Sequence, residues 1–321
     1  MSTLVIGAGL VGSQVARVLA EEGETPVLMD FAAQADCVGQ IVPMDSVTMI
    51  QGDILRPLSV VKAINDHGIT GIIHTAANPM LTLGAQTDPY AAINLNIMGT
   101  VNVLEAARVT GVKRVVVSSS NVLNHYLAGG NGLTEPMNEE AWPRPTTFYS
   151  ATKQAIESLG LNYAKWCGVE FAGMRYGAVF GPWSGAGGGG PSNVVRTALR
   201  NLMAGKEATI PAGTMEWVYS KDAGRGTVLA LRANDLGNGV FNVTMAQATP
   251  PEEMEAALKV LFPEGKIRIE TPKGTAVSLP NMRRTSDLSN SKATIGYEPQ
   301  FDIRTALADM HAWMKANATA A

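Results

Sequence analysis

Short apolar segments alternate with longer segments of helical spacing along the first half of the chain. The apolar, β-branched segments predict buried strands at Thr3 to Ala8, Pro26 to Asp30, Val47 to Asp53, Gly71 to Ala77 and Arg114 to Ser120. Between them, VGSQVARVLAEEG, PLSVVKAINDHG and NLNIMGTVNVLEAARVTG place apolar residues three and four positions apart, as on one face of a helix. Buried strands that alternate with helices are typical of a parallel sheet covered on both faces. The pattern predicts a doubly wound α/β fold, in which ligands bind at the carboxyl ends of the strands.

Composition and charge exclude several classes of protein. The chain has 321 residues, 46% of them hydrophobic, and a formal net charge of −3, which fits one large α/β domain or one and a half. No run of like charge occurs, so we expect no nucleic-acid partner. The apolar start lacks the basic region of a signal peptide, and no apolar stretch reaches the roughly 18 residues of a membrane span, so no membrane partner is expected. Two cysteines, Cys37 and Cys167, favour a reducing, cytoplasmic location over a disulfide framework.

A glycine-rich turn, GAGLVG, follows the first predicted strand and begins the first helix. Gly7, Gly9 and Gly12 would permit a tight turn, close approach to a pyrophosphate and close packing of helix on strand. Asp30 ends the second strand, near the offset of ~20 residues at which an acid accepts hydrogen bonds from the adenosine ribose. Because a carboxylate there repels a 2′-phosphate, the predicted cofactor is NAD rather than NADP. A glycine-rich turn without a ligand and an acid that merely ends a strand are the alternatives.

Further cofactor contacts are expected after the other strands. Asp53 could receive the adenine amino group or could equally cap a helix. Ala76 and Ala77, in HTAAN, are small enough to let the dinucleotide lie against the backbone, whereas His74 is more typical of a satisfied histidine at a strand end. The predicted cofactor-binding residues are Gly7, Gly9, Leu10, Val11, Gly12, Asp30, Asp53, Ile54, Ala76, Ala77, Ser118, Tyr149, Lys153, Tyr176 and Val179.

A tyrosine and a lysine lie four positions apart in YSATK, after a strand that ends in serines. On a helix, Tyr149 and Lys153 share one face. A free phenol has a pKa near ~10, and the ammonium together with the charge of oxidised nicotinamide is expected to lower it, so that Tyr149 acts as a base. One hydroxyl among residues 118–120 can donate a hydrogen bond to a substrate carbonyl or alkoxide. The alternatives are a solvated helix face and a polar strand end.

Taken together, these motifs resemble the extended short-chain dehydrogenase/reductase family, in its NAD-dependent epimerase/dehydratase group. The similarity runs nearly end to end, through GAGLVG, HTAAN, NIMGTVNVLEAA, VVVSSS, YSATK, RYGAVFGP, WVYSKDAGRG, FNV and IGYEP. The resemblance implies a catalytic trio of Ser, Tyr and Lys supported by Asn96, with Ser120 favoured over Ser119 as the serine. It also implies a Rossmann domain at residues 1–175, to which 217–245 return, and a smaller substrate-binding lobe made mostly by 176–321. A homodimer through the NIMGT and YSATK helices is implied as well.

Two departures from the family pattern bear on the substrate. Ala178 and Met215 stand where relatives that act on nucleotide sugars commonly have Asn and Arg. Losing one polar and one cationic contact disfavours a UDP- or dTDP-sugar. Arg283 and Arg284 match a third phosphate-facing position and keep such a substrate open, although they could instead bind a carboxylate or be a solvated pair. The predicted substrate residues are Asn78, Asn121, Arg175, Trp183, Asn193 and Arg283, and no metal is expected.

The segment GPWSGAGGGGPSN, residues 181–193, is too rich in glycine for a packed element and is either a lid beside the active site or a flexible connector. The sequence therefore predicts an NAD-dependent oxidoreductase that transfers hydride at a secondary alcohol or ketone of a small polar substrate, such as a sugar, sugar acid or hydroxy acid. An NAD-dependent nucleotide-sugar epimerase and a non-catalytic dinucleotide sensor are the alternatives.

Overall fold

The structure is a computed structural model that describes residues 2–77, 87–126, 145, 147–237, 239–270 and 285–317. Asn78, Arg283 and Arg284, three residues expected near the substrate, lie outside the described residues. Among the described helices, none is long and apolar enough to cross a bilayer. No group of three or more His, Cys, Asp or Glu side chains suited to a metal ion occurs in these ranges.

The strands, in chain order, are β1 (Thr3–Ile6), β2 (Val27–Asp30), β3 (Thr48–Gln51), β4 (Gly71–His74), β5 (Arg114–Ser120), β6 (Glu170–Tyr176), β7 (Ala178–Phe180), β8 (Ala208–Pro211), β9 (Met215–Tyr219), β10 (Val240–Val243), β11 (Ala248–Thr249) and β12 (Ile267–Glu270). Seven of them form one sheet in the order β10-β6-β5-β4-β1-β2-β3, and every pair in it is parallel. This confirms the predicted doubly wound α/β fold. The strand order reverses between β1 and β4, so the crevice expected to hold a ligand lies at their carboxyl ends.

The α-helices are α1 (Leu10–Glu21), α2 (Ala35–Gly39), α3 (Pro57–His67), α4 (Pro89–Ile93), α5 (Gly99–Thr110), α6 (Phe148–Cys167), α7 (Gly189–Met203), α8 (Ser220–Arg232), α9 (Pro251–Leu261), α10 (Ser289–Ile295) and α11 (Ile303–Ala316). A π-helical turn, Asn94–Met98, joins α4 to α5. Short 3₁₀ turns lie at Met44–Ser46 and Asn121–Tyr126.

Two hydrophobic cores cover the two faces of the large sheet. Within β1, Val5 belongs to the core beneath α1 and α8, whereas Leu4 and Ile6 belong to the core beneath α3, α5 and α6. Successive side chains of a strand point to opposite faces, so an entirely apolar strand requires helices on both sides. That is the reason for the unbroken apolar segments in the sequence.

A smaller lobe follows β6. Its sheets have the orders β11-β9-β7 and β12-β8, and its core includes Phe180, Trp217 and Tyr219. The chain then returns to the large sheet through β10 and again through α10, which contacts β10 and α8. Tyr297, just after α10, is packed in the α1-side core. The division at residues 175 and 176 stays a prediction, with these late segments lying beside the large sheet.

Candidate active site

The glycine-rich turn after β1 is packed against the end of β4. Gly7 has a φ of 100°, and a Cβ built on it would lie 2.6 Å from the backbone N of Ala76. A Cβ on Gly12 would lie 1.7 Å from the carbonyl O of Gly7. Gly9 differs, because a Cβ there meets no protein atom within 4 Å, and no side chain caps α1 at this residue. Contacts within the protein therefore require glycine at positions 7 and 12. Glycine at position 9 leaves the start of α1 open to a ligand such as a pyrophosphate.

Asp30 is held beside this turn by two backbone groups. Its Oδ2 accepts a hydrogen bond from Ala8 N at 2.7 Å, and its Oδ1 accepts one from Ala32 N at 2.9 Å. Each carboxylate oxygen has a second lone pair that can accept a ribose hydroxyl. The residues of the turn and Asp30 thus fit an NAD molecule.

Asp53 lies in a turn that precedes α3. Its Oδ1 accepts a hydrogen bond from Leu55 N at 2.9 Å, and its carboxylate lies 3.7 Å from Arg56 Nε. Arg56, not Asp53, is the residue before α3, so Asp53 stabilises the turn rather than capping the helix. The neighbouring Ile54 is buried, and its carbonyl O accepts from Asn102 Nδ2 at 2.8 Å.

The end of β4 is tied to the glycine-rich turn. Ala76 N donates to Ile6 O at 2.9 Å, and Thr75 Oγ1 donates to Gly7 O at 3.0 Å. Ala76 and Ala77 are half-buried. Two small side chains therefore line the switch-point crevice where the sequence predicts the dinucleotide.

Helix α6 brings the predicted acid–base groups to the end of β5. Thr147 caps the helix by accepting from Ser150 N at 3.2 Å, which places Tyr149 in the first turn. The Lys153 Nζ donates to Ser118 O at 2.8 Å and lies 5.7 Å from the centroid of the Tyr149 ring. The Tyr149 phenol forms a hydrogen bond with the Ser120 side chain. Ser120, Tyr149 and Lys153 therefore meet at one edge of the sheet.

The two candidate serines have different partners. Ser119 is buried, and its Oγ donates to Glu157 Oε1 at 2.5 Å. Ser120 contacts the Tyr149 phenol, and its Oγ also accepts from Val122 N at 3.3 Å. A serine hydroxyl has a single proton to donate, and that of Ser119 is committed to Glu157. The geometry favours Ser120 as the serine that faces a substrate.

Burial controls the acidity of both members of the Tyr/Lys pair. It raises the pKa of Tyr149, an effect that the hydrogen bond to Ser120 opposes. It lowers the pKa of Lys153 from 10.5 to about 8, and the charge of Glu157 acts in the other direction. The expected lowering of the Tyr149 pKa is thus not found in the chain itself, because loss of hydration disfavours the phenolate more than the neighbouring groups favour it. The expectation also included the positive charge that NAD⁺ supplies when bound.

Asn96 is turned toward the catalytic helix by the π-helical turn. Its Nδ2 donates to Thr152 Oγ1 at 3.1 Å, and its Oδ1 is buried without a hydrogen-bond partner among the described residues. Thr100 Oγ1 donates to Asn96 O at 2.7 Å and lies 3.2 Å from His74 Nε2. Since the Thr100 hydroxyl has one proton, His74 Nε2 must be the donor in the second contact. Burial, followed by the charge of Lys153, lowers the His74 pKa from 6.5 to about 3, so the ring is neutral.

Two residues that the sequence assigned to the substrate lie in the interior. Arg175 Nη2 and Nε donate to the two carboxylate oxygens of Glu157 at 2.8 and 3.0 Å, and its Nη1 donates to Asn124 Oδ1 at 2.9 Å. Trp183 is only 1% exposed and donates from Nε1 to Ala186 O at 3.1 Å. The structure uses Arg175 as a buried ion-pair partner and Trp183 as a core residue, because protein groups take up the polar atoms of both.

Three further predicted contacts are also engaged within the protein. Asn193 Oδ1 accepts from Arg196 Nη2 at 2.6 Å. The Tyr176 hydroxyl lies 2.5 Å from Thr227 Oγ1, and burial raises the Tyr176 pKa. Val179 is half-buried against the α1-side core. The first contact lies within α7, whereas the second joins β6 to α8 and Val179 packs β7 against the large domain.

Glu216, a fully buried acid in β9, is not among the residues predicted to act in the site. It accepts hydrogen bonds from Asn121 Nδ2 at 3.0 Å, from Thr244 Oγ1 at 2.8 Å, and from Ser286 N and Oγ at 2.8 and 2.7 Å. Burial raises its pKa, and the bonds from Ser286 are the largest opposing cause. A signal was present, since Glu216 is an acid within the apolar strand MEWVY. Asn121, predicted to touch substrate, is instead held from the side of the smaller lobe.

Comparison with known proteins agrees with this arrangement. The chain matches the NAD dependent epimerase/dehydratase family over residues 3–244. It is 26% identical to UDP-glucuronate 4-epimerase 1 of Arabidopsis thaliana, over 98% of this chain and 76% of that protein. The holo form of an L-threonine dehydrogenase from Cupriavidus necator is similar at a TM-score of 0.81 and 25% identity, over 97% and 99% of the two chains.

A UDP-glucose 4-epimerase from Thermotoga maritima, solved with UDP-glucose, shares the fold at a TM-score of 0.83 and 22% identity, over 99% of this chain and 100% of that one. The family match covers most of the chain and includes the glycine-rich turn, Asp30 and the Tyr149 helix. The chain therefore belongs to the NAD-dependent epimerase/dehydratase family of extended short-chain dehydrogenases/reductases, with NAD as its cofactor.

Proposed function

We propose that this protein is an NAD-dependent dehydrogenase that oxidises a secondary alcohol of a small polar substrate, such as a sugar, a sugar acid or a hydroxy acid. The observation that carries the proposal is the meeting of Ser120, Tyr149 and Lys153 beside the crevice at which the strand order reverses. These groups are a hydrogen-bond donor, a phenol and an ammonium, which are the parts needed to remove a hydroxyl proton as hydride departs.

Each residue has a distinct part in the reaction. NAD⁺, when bound beside these residues, would supply the hydride acceptor. Tyr149 removes the proton of the substrate hydroxyl, and Ser120 orients the substrate oxygen by a hydrogen bond. Lys153 has three N–H donors, of which Ser118 O takes one, so others remain to hold the nicotinamide ribose. Asn96, tied to Thr152 on the helix of Tyr149 and Lys153, holds that helix in place.

Two observations support a small substrate over a nucleotide sugar. Ala178 and Met215 begin β7 and β9 of the same three-stranded sheet, where they are paired with Trp217 and Thr249. Neither side chain supplies a charge for a diphosphate. The similar protein from Cupriavidus necator is a dehydrogenase of L-threonine, whose hydroxyl is a secondary alcohol on a small amino acid.

A panel of sugars, sugar acids and hydroxy acids tests the proposal. Purified protein with NAD⁺ should form reduced nicotinamide with at least one of them, and Tyr149→Phe should abolish this activity. Tyr163→Phe is the matched control, since Tyr163 lies on the same helix but contacts Glu105 at 2.6 Å. Turnover that survives in Tyr149→Phe would remove the acid–base role and favour a dinucleotide sensor.

The second candidate is an NAD-dependent nucleotide-sugar epimerase, which the similarity to the Arabidopsis thaliana protein over 98% of this chain favours. An epimerase returns the hydride to the same carbon, so it retains its cofactor and shows no net redox change. Conversion of a UDP-sugar without accumulation of reduced nicotinamide, together with no turnover of any panel alcohol, would replace the first proposal by this one.

We also propose a homodimer, formed through α5 and α6. Exposed apolar side chains occur on these helices and on the two turns of helix before α5: Tyr90, Met98, Val109, Leu161 and Trp166, the last 73% exposed. Single scattered apolar residues are normal on a surface, but a group on adjacent helices is typical of an interface. Trp166→Glu should convert a dimer to a monomer in light scattering. Val260→Glu, at an apolar residue of α9 that is 68% exposed, should leave the dimer intact; a wild-type monomer contradicts the proposal.

The cytoplasmic location stays a prediction. It is supported by Cys37 and Cys167, which are both free thiols in the structure, as expected in a reducing compartment.

A further inference from the structure

One glutamine joins the glycine-rich segment after β7 to the segment after β2. Gln34 Oε1 accepts a hydrogen bond from Ala186 N at 2.6 Å, and Gln34 Nε2 donates to Ala186 O at 3.4 Å. The side-chain amide therefore pairs with both polar groups of one residue, although 152 positions separate the two in the sequence. We call residues 181–188 the strap, and its pairing with Gln34 the latch.

The sheet order shows what the strap must cross. It leaves β7, which directly follows β6, and it reaches Gln34, which follows β2. Between β6 and β2 lie β5, β4 and β1, so four strand spacings separate the two, or about 19 Å. Residues 177–186 span up to roughly 33 Å when extended, which is enough for the crossing. The two ends of this path lie on opposite sides of the switch point between β1 and β4, and Gln34 lies four residues beyond Asp30, the expected partner of the adenosine ribose.

The strap is held in one conformation by its own contacts. The ring of Trp183 is buried, and Arg196 Nη1 donates to Trp183 O at 3.2 Å and to Gly185 O at 3.0 Å. A Cβ on Gly185 would lie 2.5 Å from Gln34 Oε1 and 2.7 Å from the Trp183 ring. Glycine at 185 is therefore required for the latch to close. These contacts favour the lid over the flexible connector for this segment.

We propose that Gln34 is a positioning residue that latches the strap across bound NAD, so that the cofactor enters and leaves only when the Gln34–Ala186 pairing opens. A latch closed over the crevice slows both binding and release, because the same opening precedes each step. Removal of the two hydrogen bonds of the latch should raise both rates on the order of 10-fold, which corresponds to about 1.4 kcal/mol.

The test measures cofactor exchange and does not depend on the alcohol substrate. Stopped-flow fluorescence gives the dissociation rate when NADH-loaded protein is mixed with excess NAD⁺, and the association rate when NADH is mixed with cofactor-free protein. Gln34→Ala opens the latch from one side, and Gly185→Ala opens it from the other by steric exclusion. Gln247→Ala is the control, since Gln247 pairs with Glu253 in the smaller lobe.

We expect both latch variants to raise the association and dissociation rates together, with the NADH dissociation constant changed much less, and the control to match wild type. Two results overturn the proposal. Unchanged rates in a folded Gln34→Ala protein would show that the latch does not gate the site. A faster dissociation with an unchanged association rate would assign Gln34 as a direct cofactor contact instead. If Gly185→Ala fails to fold, Gln34→Ala alone decides between these outcomes.

Discussion

The neighbouring serines of β5 allow a sharp test, because the structure gives one a catalytic partner and the other a structural partner. Ser120 contacts the Tyr149 phenol, whereas Ser119 donates to Glu157 at 2.5 Å. Removing either hydroxyl by substitution with alanine changes the chain by one oxygen atom. The same atom is removed from each variant, so Ser120→Ala should mainly lose catalytic rate and Ser119→Ala should mainly lose stability.

The magnitudes follow from these partners. Removing one preorganised donor to a developing oxyanion costs about 10²–10³ in kcat, or about 2.7–4 kcal/mol, and Ser120→Ala should lose this much. Its stability should change by ~1 kcal/mol, since Ser120 Oγ loses its contact with the Tyr149 phenol and a long backbone contact from Val122 N at 3.3 Å. Ser119→Ala deletes a hydrogen bond to a buried carboxylate and should cost about 1.5–3 kcal/mol of unfolding free energy. Arg175 still pairs with Glu157, so the loss is not larger.

Two assays separate the variants. Reduced-nicotinamide absorbance gives kcat on whichever panel alcohol the wild type oxidises, and urea unfolding gives the free energy of unfolding. The reasoning is refuted if Ser119→Ala loses kcat as strongly as Ser120→Ala while keeping wild-type stability, because the catalytic serine would then be Ser119.

Three further perturbations test the electrostatics of the site. Glu157→Gln removes a negative charge that raises the Lys153 pKa and so opposes the effect of burial. The Lys153 pKa should then fall below about 8, and the basic limb of the kcat/KM pH profile should move to lower pH. A basic limb that does not move would contradict the coupling between Glu157 and Lys153. The pKa of His74 is about 3 in the folded chain, compared with 6.5 for an exposed ring in the unfolded chain. As the pH falls, the unfolded chain therefore binds the proton first. The free energy of unfolding should decrease by up to about 4 kcal/mol between pH 6.5 and pH 3. His74→Gln, which does not titrate, should lose less stability over that window in urea unfolding, and parallel losses would refute the assignment. Asp30→Ala should weaken NAD binding and increase the use of NADP in titrations, with Asp30→Asn as the variant that keeps an acceptor for Ala8 N, while equal use of both cofactors by the wild type would contradict the carboxylate argument.

The elements that depend on local pattern could be predicted from the sequence. In β1, a strand without polar interruption requires cover on both faces, and Leu4 and Val5 do lie in different cores. The glycine-rich turn and the Tyr149 helix were predictable for the same reason, since their spacing is set within a few residues by backbone geometry. Ser120, Tyr149 and Lys153 then meet because a helix packs on the adjacent strand.

The partners of the buried polar residues were not predictable in this way. A buried arginine and a substrate-binding arginine look alike in a sequence, and Arg175 is distinguished only by Glu157, which lies 18 positions away on another element. The partners of Glu216 come from three separate segments, and Ser286 among them is 70 positions away. Such partners are set by the tertiary fold, because a buried charge must be paired wherever the chain happens to bring a partner.

Asn96 lies in a π-helical turn, where the usual helical spacing of side chains does not apply. An α-helix repeats every 3.6 residues, whereas the π-helical turn Asn94–Met98 contains an additional residue, so a helical projection through this segment assigns side chains to the wrong faces. The turn is held by Thr100, which donates to Asn96 O, and Thr100 is in turn held by His74 from β4. The histidine that the sequence marked as an ordinary strand end therefore acts, through one threonine, on the residue that contacts the catalytic helix. The position of His74 at a strand end was predictable. Its link to Asn96 through Thr100 was not, because it depends on the π-helical turn, which the spacing of apolar residues does not predict.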